Sequence, residues 1–190
     1  PESADWYQGT ADAVRKQLFE IQATGAEYVL ILAGDHLYRM DYREMAGYHW
    51  EKQADITVAV QPVVRGEASR FGILKVESDG EISAFVEKPK DPEVQKKFVS
   101  RPHDEERPFL GSMGIYIFNA GFLFEQLIKD ADTNGSSHDF GKDIIPAVID
   151  KYIVNAYPFL NLQSGVQAYW RDVGTIDAYW SANMELIGVK

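Results

Sequence analysis

Two carboxylates stand next to glycines at the ends of apolar runs: Asp35 in "YVLILAGDH" and Asp172 in "AYWRDVGT". In open α/β sheets ligands collect beyond the carboxyl ends of the strands, and Asp35 directly follows its apolar run. Gly34 removes a side chain there, so a ligand or metal can approach the backbone. Two such carboxylates converging to about 5 Å would repel by roughly 3 kcal/mol at an effective dielectric near 20. A divalent cation turns that repulsion into attraction, and two carboxylates with substrate phosphates and water is the usual way to hold Mg2+. Spacing alone does not establish convergence. A plain Gly-Asp turn explains the first motif equally well.

A third candidate is "FVEKP", where Glu87 and Lys88 end a β-rich run and Pro89 predicts an extended backbone at Lys88. A lysine there can meet a phosphate and Glu87 can accept hydrogen bonds from sugar hydroxyls; an ordinary exposed hairpin lysine is the alternative. A fourth is "WYQGTADAV", in which Gly9 and Thr10 precede a helix whose first N–H groups favour acceptors. A simple N-cap accounts for that pair as well. His36, His49, His103 and His138 show no metal-ligand spacing and are assigned to surface or packing. Ser112 follows a glycine at the start of a strand, which is no nucleophile elbow.

These residues need a frame, and the chain supplies one. Periodicity predicts a helix over 10–23 capped by Thr10 and closed at Gly25, then a strand over 28–33 buried on both faces. Asp41 with Glu44 resembles a capping box for a second helix reaching Lys52. "DITVAVQPV" reads as a strand, and Asp79-Gly80 as the turn of a hairpin between "FGILKV" and "EISAFVE". "DPEVQKKFVSRPHDEERP" reads as a polar surface excursion with a short helix. "SMGIYIFNA" is a strand, and helices are expected over 120–129 and 140–151, with Pro146 in a first turn or at a kink. Two further strands, "VNAYPFL" and "VQAYWRDVG", precede a last helix over 176–187 capped by Thr175. Alternating strands and helices with one hairpin predict an α/β fold around a mixed sheet.

Bulk composition narrows the function. The 190 residues are 45% hydrophobic and 25% charged, in the range of a globular domain with a sizeable core. A net charge of −10 argues against a nucleic-acid or anionic-membrane surface, both of which need clustered Lys and Arg. It leaves room for a small polyanionic substrate in a local pocket. With no cysteine there is neither a disulfide framework nor a thiolate metal site, which fits a reducing cytoplasm. No run has the length of a membrane span, and the N-terminus has no signal-peptide pattern. "PESADWYQGTADAV" opens without an initiator Met or a first strand, so a piece of a longer protein is expected.

Seven motifs in one order, "WYQGTADAV", "YVLILAGDHLYRMDY", "FGILKV", "FVEKP", "GSMGIYIF", "SSHDFGKDIIP" and "YWRDVGTIDAYWSANMEL", resemble the bacterial glucose-1-phosphate adenylyltransferases, or ADP-glucose pyrophosphorylases. The resemblance implies a cytoplasmic, allosteric, homotetrameric enzyme of glycogen biosynthesis. Such an enzyme converts ATP and α-glucose 1-phosphate into ADP-glucose and pyrophosphate with Mg2+. It also implies a Rossmann-like, mixed and mostly parallel sheet flanked by helices, of the nucleotide-diphospho-sugar transferase type. Residues 1–190 would then be a single partial catalytic domain. By resemblance, Asp35 and Asp172 match the metal-binding pair and, with Lys88, the catalytic set. Lys88 matches the lysine on the phosphate of glucose 1-phosphate, and Glu87 the neighbour on the glucose hydroxyls. Gly72 and Ser112 match positions lining the sugar pocket, and Tyr7, Gly9 and Thr10 fall beside the adenine and ATP.

The resemblance has gaps. The family's opening strand and glycine-rich loop, of the form GxGxRLxPLT, have no match here, and neither does its C-terminal β-helix. The isolated chain is therefore expected to be incomplete at the N-terminal side of its sheet, to expose apolar surface and to turn over negligibly. Two rival readings stay open: a thymidylyl-, guanylyl- or other sugar-1-phosphate nucleotidyltransferase, and a non-catalytic regulatory relative.

Overall fold

A computed structural model describes residues 6–160 and 168–188. Its centre is β6 (Phe109–Asn119), an 11-residue strand whose side chains alternate between two cores. Tyr116 and Phe118 face one apolar cluster, while Met113, Ile115 and Ile117 face another. One long edge of β6 pairs antiparallel with β3 (Ile56–Val63). The other edge is shared: β4 (Gly72–Val76) takes Leu110 and Gly111, and β1 (Tyr28–Ile31) takes Tyr116 to Asn119. Residues 112–115 of that edge pair with neither, which leaves a notch in the sheet.

The outer strands are β5 (Ile82–Glu87), antiparallel to β4, and β7 (Val154–Pro158), parallel to β3. Among the described residues the sheet has six strands. β1, β3, β4 and β7 all run the same way, because three of them oppose β6 and the fourth parallels β3; β5 runs with β6. Strand direction is thus mostly shared, as expected. The hydrogen-bonded pairs are nonetheless antiparallel except at β3·β7: β6 runs between β3 and the strands β1 and β4 and opposes all three, and β4·β5 is a hairpin.

One face of the sheet carries α1 (Thr10–Arg15), α5 (Ala120–Ala131) and the stretch 140–149; the other carries α3 (Tyr42–Glu51). The helix expected over 10–23 is broken into α1 and α2 (Leu18–Ala23), with Gly25 closing the second at φ +66°. Thr10 is not the cap: Gly9 occupies that position, and the Thr10 hydroxyl is used across the fold instead. Asp12 is buried in α1 among Arg15, Lys16 and the Gln8 N–H. Burial alone would raise its pKa, but those partners outweigh it and hold the carboxyl below the usual range.

β1 is half-exposed rather than buried on both faces, since β6 is its one partner among the described residues; Phe19, Leu30 and Leu32 are exposed nearby. The β4–β5 hairpin turns at Gly80, whose φ of +94° is open to glycine. The polar excursion contains α4 (Pro92–Lys97), capped by Asp91. Pro146 lies in the first turn of α6 (Ile145–Val148). A wider turn, Phe140–Ile144, precedes it, with Ile144 N–H reaching back five residues to the Asp139 carbonyl. Proline cannot donate to the residue four back, and the wide turn avoids that demand.

Two three-residue strands, β2 (His36–Tyr38) and β8 (Trp170–Asp172), form a separate antiparallel ribbon. Positions 166 and 167 of the expected final strand lie outside the described residues. The ribbon rests on the second core through Trp170 and Tyr38, and α7 (Ile176–Gly188) follows it. Thr175 caps α7 as expected, accepting the Ala178 N–H at 3.2 Å.

Candidate active site

The notch in β6 opens into a cleft of about 1290 Å³. One wall is the ribbon. β2·β8 pairing puts His36 opposite Asp172, and the Val173 N–H donates to the Asp35 carbonyl at 2.8 Å. The two acidic side chains therefore meet. A methyl group on Gly174 would lie 2.8 Å from Asp35 Oδ2 and 3.1 Å from Asp172 Oδ1, so these oxygens are no farther apart than the two distances laid end to end. Asp172 Oδ1 also accepts the Gly174 N–H at 2.8 Å. Asp35 leaves more than half of its side chain open to the cleft.

This donor set fits a hard cation such as Mg2+: two carboxylates converge where glycine leaves room for them. Among the described residues no group of three or more acidic, His or Cys side chains is poised for a metal. A cation held here would need water or substrate oxygens to complete its shell. His36, assigned from sequence to surface or packing, lines the cleft beside the pair. Its Nε2 lies 3.7 Å from Asp35 Oδ1 and its ring stands edge-on to Trp170 at 4.8 Å. Burial pushes its imidazole pKa down against the pull of both carboxylates.

The opposite wall comes from the hairpin. Glu87 is largely buried, and its Oε2 is wedged between two glycines: a methyl on Gly72 would lie 2.7 Å from it and one on Gly141 2.6 Å. Lys88 Nζ is 3.5 Å from Glu87 Oε1 and mostly exposed to the cleft. The backbone at Lys88 is not extended but left-handed, at φ +47°. Its N–H continues the ladder to the Phe71 carbonyl at 3.0 Å, and the chain then turns sharply away. That hydrogen bond and the turn override the preference imposed by Pro89, a strain of the kind found at binding sites.

Ser112 sits in the notch, its hydroxyl accepting the Gly114 N–H at 3.2 Å and lying 3.4 Å from the Tyr116 hydroxyl. Burial pushes the Tyr116 phenol up to about 12, so it is a neutral hydroxyl in the cleft wall. Asp139 completes this end. Its Oδ1 accepts the N–H groups of Gly141 and Lys142 at 2.9 and 3.0 Å. It also lies 3.4 Å from the same point above Gly141 that Glu87 approaches. Arg107, placed by sequence on a surface excursion, lines the cleft as well.

Sequence reasoning overlooked His36, Tyr116 and Asp139 as cleft residues. Asp139 alone left a signal, an acidic residue before a helical turn. Of the expected nucleotide-side trio, Thr10 lines the cleft, whereas Tyr7 and Gly9 are not in its wall. The Tyr7 ring packs under Lys16 Nζ at 5.2 Å. The first N–H groups of α1 do not point outward, because those of Ala11 and Asp12 donate to the His138 carbonyl at 2.8 and 3.3 Å.

Glu87 carries a raised pKa, first from burial and then from Asp139, with Lys88 and Lys142 opposing. A carboxyl raised on folding favours the native state at low pH and costs stability as pH rises through its folded pKa. Glu87→Gln should therefore raise the denaturation midpoint at neutral pH, with the gain shrinking as pH falls toward the ordinary carboxylate range. Thermal melts at a series of pH values check this, and a destabilised variant at pH 7 would refute it.

Comparison with known proteins is consistent along the whole chain. A family model described as nucleotidyl transferase matches residues 1–188. A protein of Methylococcus capsulatus named glucose-1-phosphate adenylyltransferase is 57% identical over 186 residues, covering 97% of this chain and 42% of the relative. Proteins of the same name from Nitrosococcus oceani and Rhodopirellula baltica are 52% and 49% identical. The chain thus spans about 42% of the length of its first relatives.

Proposed function

Because this chain belongs to the nucleotidyl transferase family, we propose that the protein carrying it is a glucose-1-phosphate adenylyltransferase, in which residues 1–190 form part of the catalytic domain. The observation that carries the reading is one cleft with Asp35 and Asp172 on one wall and Glu87 and Lys88 on the other. The relatives' shared name supports the choice of ATP and glucose 1-phosphate.

In the proposed reaction a phosphate oxygen of glucose 1-phosphate attacks the α-phosphorus of ATP in line. The bond from that phosphorus to the β-phosphate oxygen breaks, and pyrophosphate leaves. No protein nucleophile is needed, so the side chains act by positioning and by balancing charge. Lys88 holds the sugar phosphate against its own repulsion from the triphosphate. Glu87 and Ser112 engage sugar hydroxyls, and Gly72 leaves room for the Glu87 carboxylate to take its place at the sugar pocket. Asp35 and Asp172 would hold Mg2+, which supplies charge neutralisation at the crowded phosphates when bound.

The test is Lys88→Ala in the full-length protein. KM for glucose 1-phosphate should rise about 100-fold while KM for ATP stays within a few-fold, since a charged phosphate contact is lost on one substrate alone. Equal losses toward both substrates would contradict the assignment. Nucleotide competition against ATP distinguishes a thymidylyl- or guanylyltransferase. The same reading makes the full-length protein cytoplasmic and homotetrameric, the latter measurable by sedimentation. Among the described residues no helix is long and apolar enough to cross a membrane.

A further inference from the structure

The segment bearing Gly9 and Thr10 is bonded to the loop that leads into Asp139, on the Glu87 side of the cleft. The Thr10 hydroxyl donates to Asp139 Oδ2 at 3.1 Å and accepts the Phe140 N–H at 3.1 Å. A hydroxyl has one proton, and here Asp139 takes it. The Asp139 carboxylate is thereby held from both ends: Oδ1 by the Gly141 and Lys142 N–H groups, Oδ2 by Thr10. Gly141 is in turn the residue against which Glu87 Oε2 is wedged.

We infer that Thr10 is a positioning residue for the sugar-phosphate end of the cleft, acting through Asp139, and not a nucleotide contact. The inference rests on the adenylyltransferase reading and assigns this hydroxyl to the other substrate. Without it, Oδ2 loses the donor that fixes its rotation and the Phe140 N–H loses its acceptor. The carboxylate beside Glu87 then samples orientations that no longer match a bound sugar. The side chain of Thr10 touches no reacting atom in this scheme.

Thr10→Val deletes the hydroxyl at nearly constant shape, and Thr10→Ser keeps it. In the full-length protein Thr10→Val should raise KM for glucose 1-phosphate about tenfold and leave KM for ATP within about twofold, as expected for one hydrogen bond to a charged group. Thr10→Ser should restore the wild-type value. A selective rise in KM for ATP overturns the inference, as do equal rises for both substrates or a failure of Thr10→Ser to rescue. Should Thr10→Val not fold, Asp139→Asn takes its place: a shift confined to the sugar phosphate is expected, and a shift confined to ATP overturns the inference. Wild-type protein is assayed first with ATP and glucose 1-phosphate. No turnover there sinks the adenylyltransferase reading itself, an outcome distinct from any pattern among the variants.

Discussion

Asp172→Asn in the full-length protein should lower kcat by about 100- to 1000-fold with little change in thermal stability, the size expected for losing one charge-stabilising group in a phosphoryl-type transfer. The substitution is chosen to spare the turn. Asn keeps the Oδ1 acceptor that takes the Gly174 N–H at 2.8 Å and removes the charge alone. Removing it also relieves repulsion from Asp35, worth between about 1 kcal/mol in a water-like medium and 3 kcal/mol at an effective dielectric near 20 for charges about 5 Å apart. Solvent at the open Asp35 side chain puts the value toward the lower end. Activity and stability should therefore part company. A variant that melts several degrees lower with kcat nearly intact would mean that Asp172 merely shapes a turn, and the cation-binding role would fall.

Gly9→Ala is expected to cost about 2–4 kcal/mol of stability, through overpacking and the loss of hydrogen bonds at the α1 terminus. The backbone at Gly9 is extended, at φ −171° and ψ −179°, so alanine meets no conformational penalty. The penalty is contact. An added methyl would lie 2.3 Å from the carbonyl oxygens of both Ser137 and His138 and 2.7 Å from the His138 carbonyl carbon. These are backbone atoms in a loop tied down by His138 to Asp130 at 2.7 Å and Ser136 to Asp130 at 2.6 Å. Neither side can yield by rotating a side chain. Chemical denaturation should show a lower midpoint with an unchanged slope. A loss under about 0.5 kcal/mol, the scatter of ordinary surface changes, would show that α1 is not docked on this loop in solution.

The parts of the site that were legible in sequence are those written in local chemistry. Asp35 and Asp172 announce themselves because a glycine beside a carboxylate at the end of an apolar run is a local pattern. Glu87 and Lys88 do so as the last residues of a strand before a proline. The hairpin at Gly80 and the cap at Thr175 are equally local. What escaped reading depends on distant partners. β2 has three residues, too short for any periodicity, and its pairing with β8, which falls within the expected final strand, spans most of the chain. Thr10 looks like a helix cap from its neighbours, yet its hydroxyl is spent on Asp139, 129 residues away. The backbone of Lys88 was misjudged because a general pre-proline preference gave way to a specific hydrogen bond with Phe71. His36 carries no motif, and its place in the cleft follows from β2·β8 pairing alone.

The ribbon that joins Asp35 to Asp172 has a consequence for how the site fails. Six strands support Glu87 and Ser112, but the acidic pair is gathered by two short strands outside that sheet. A pair of strands this small is marginal by itself and leans on Trp170 and Tyr38 for its hold. Local opening of this patch can therefore scatter the two carboxylates while the rest of the molecule stays folded. Heat or mild denaturant should then disperse the proposed cation site before it melts the core.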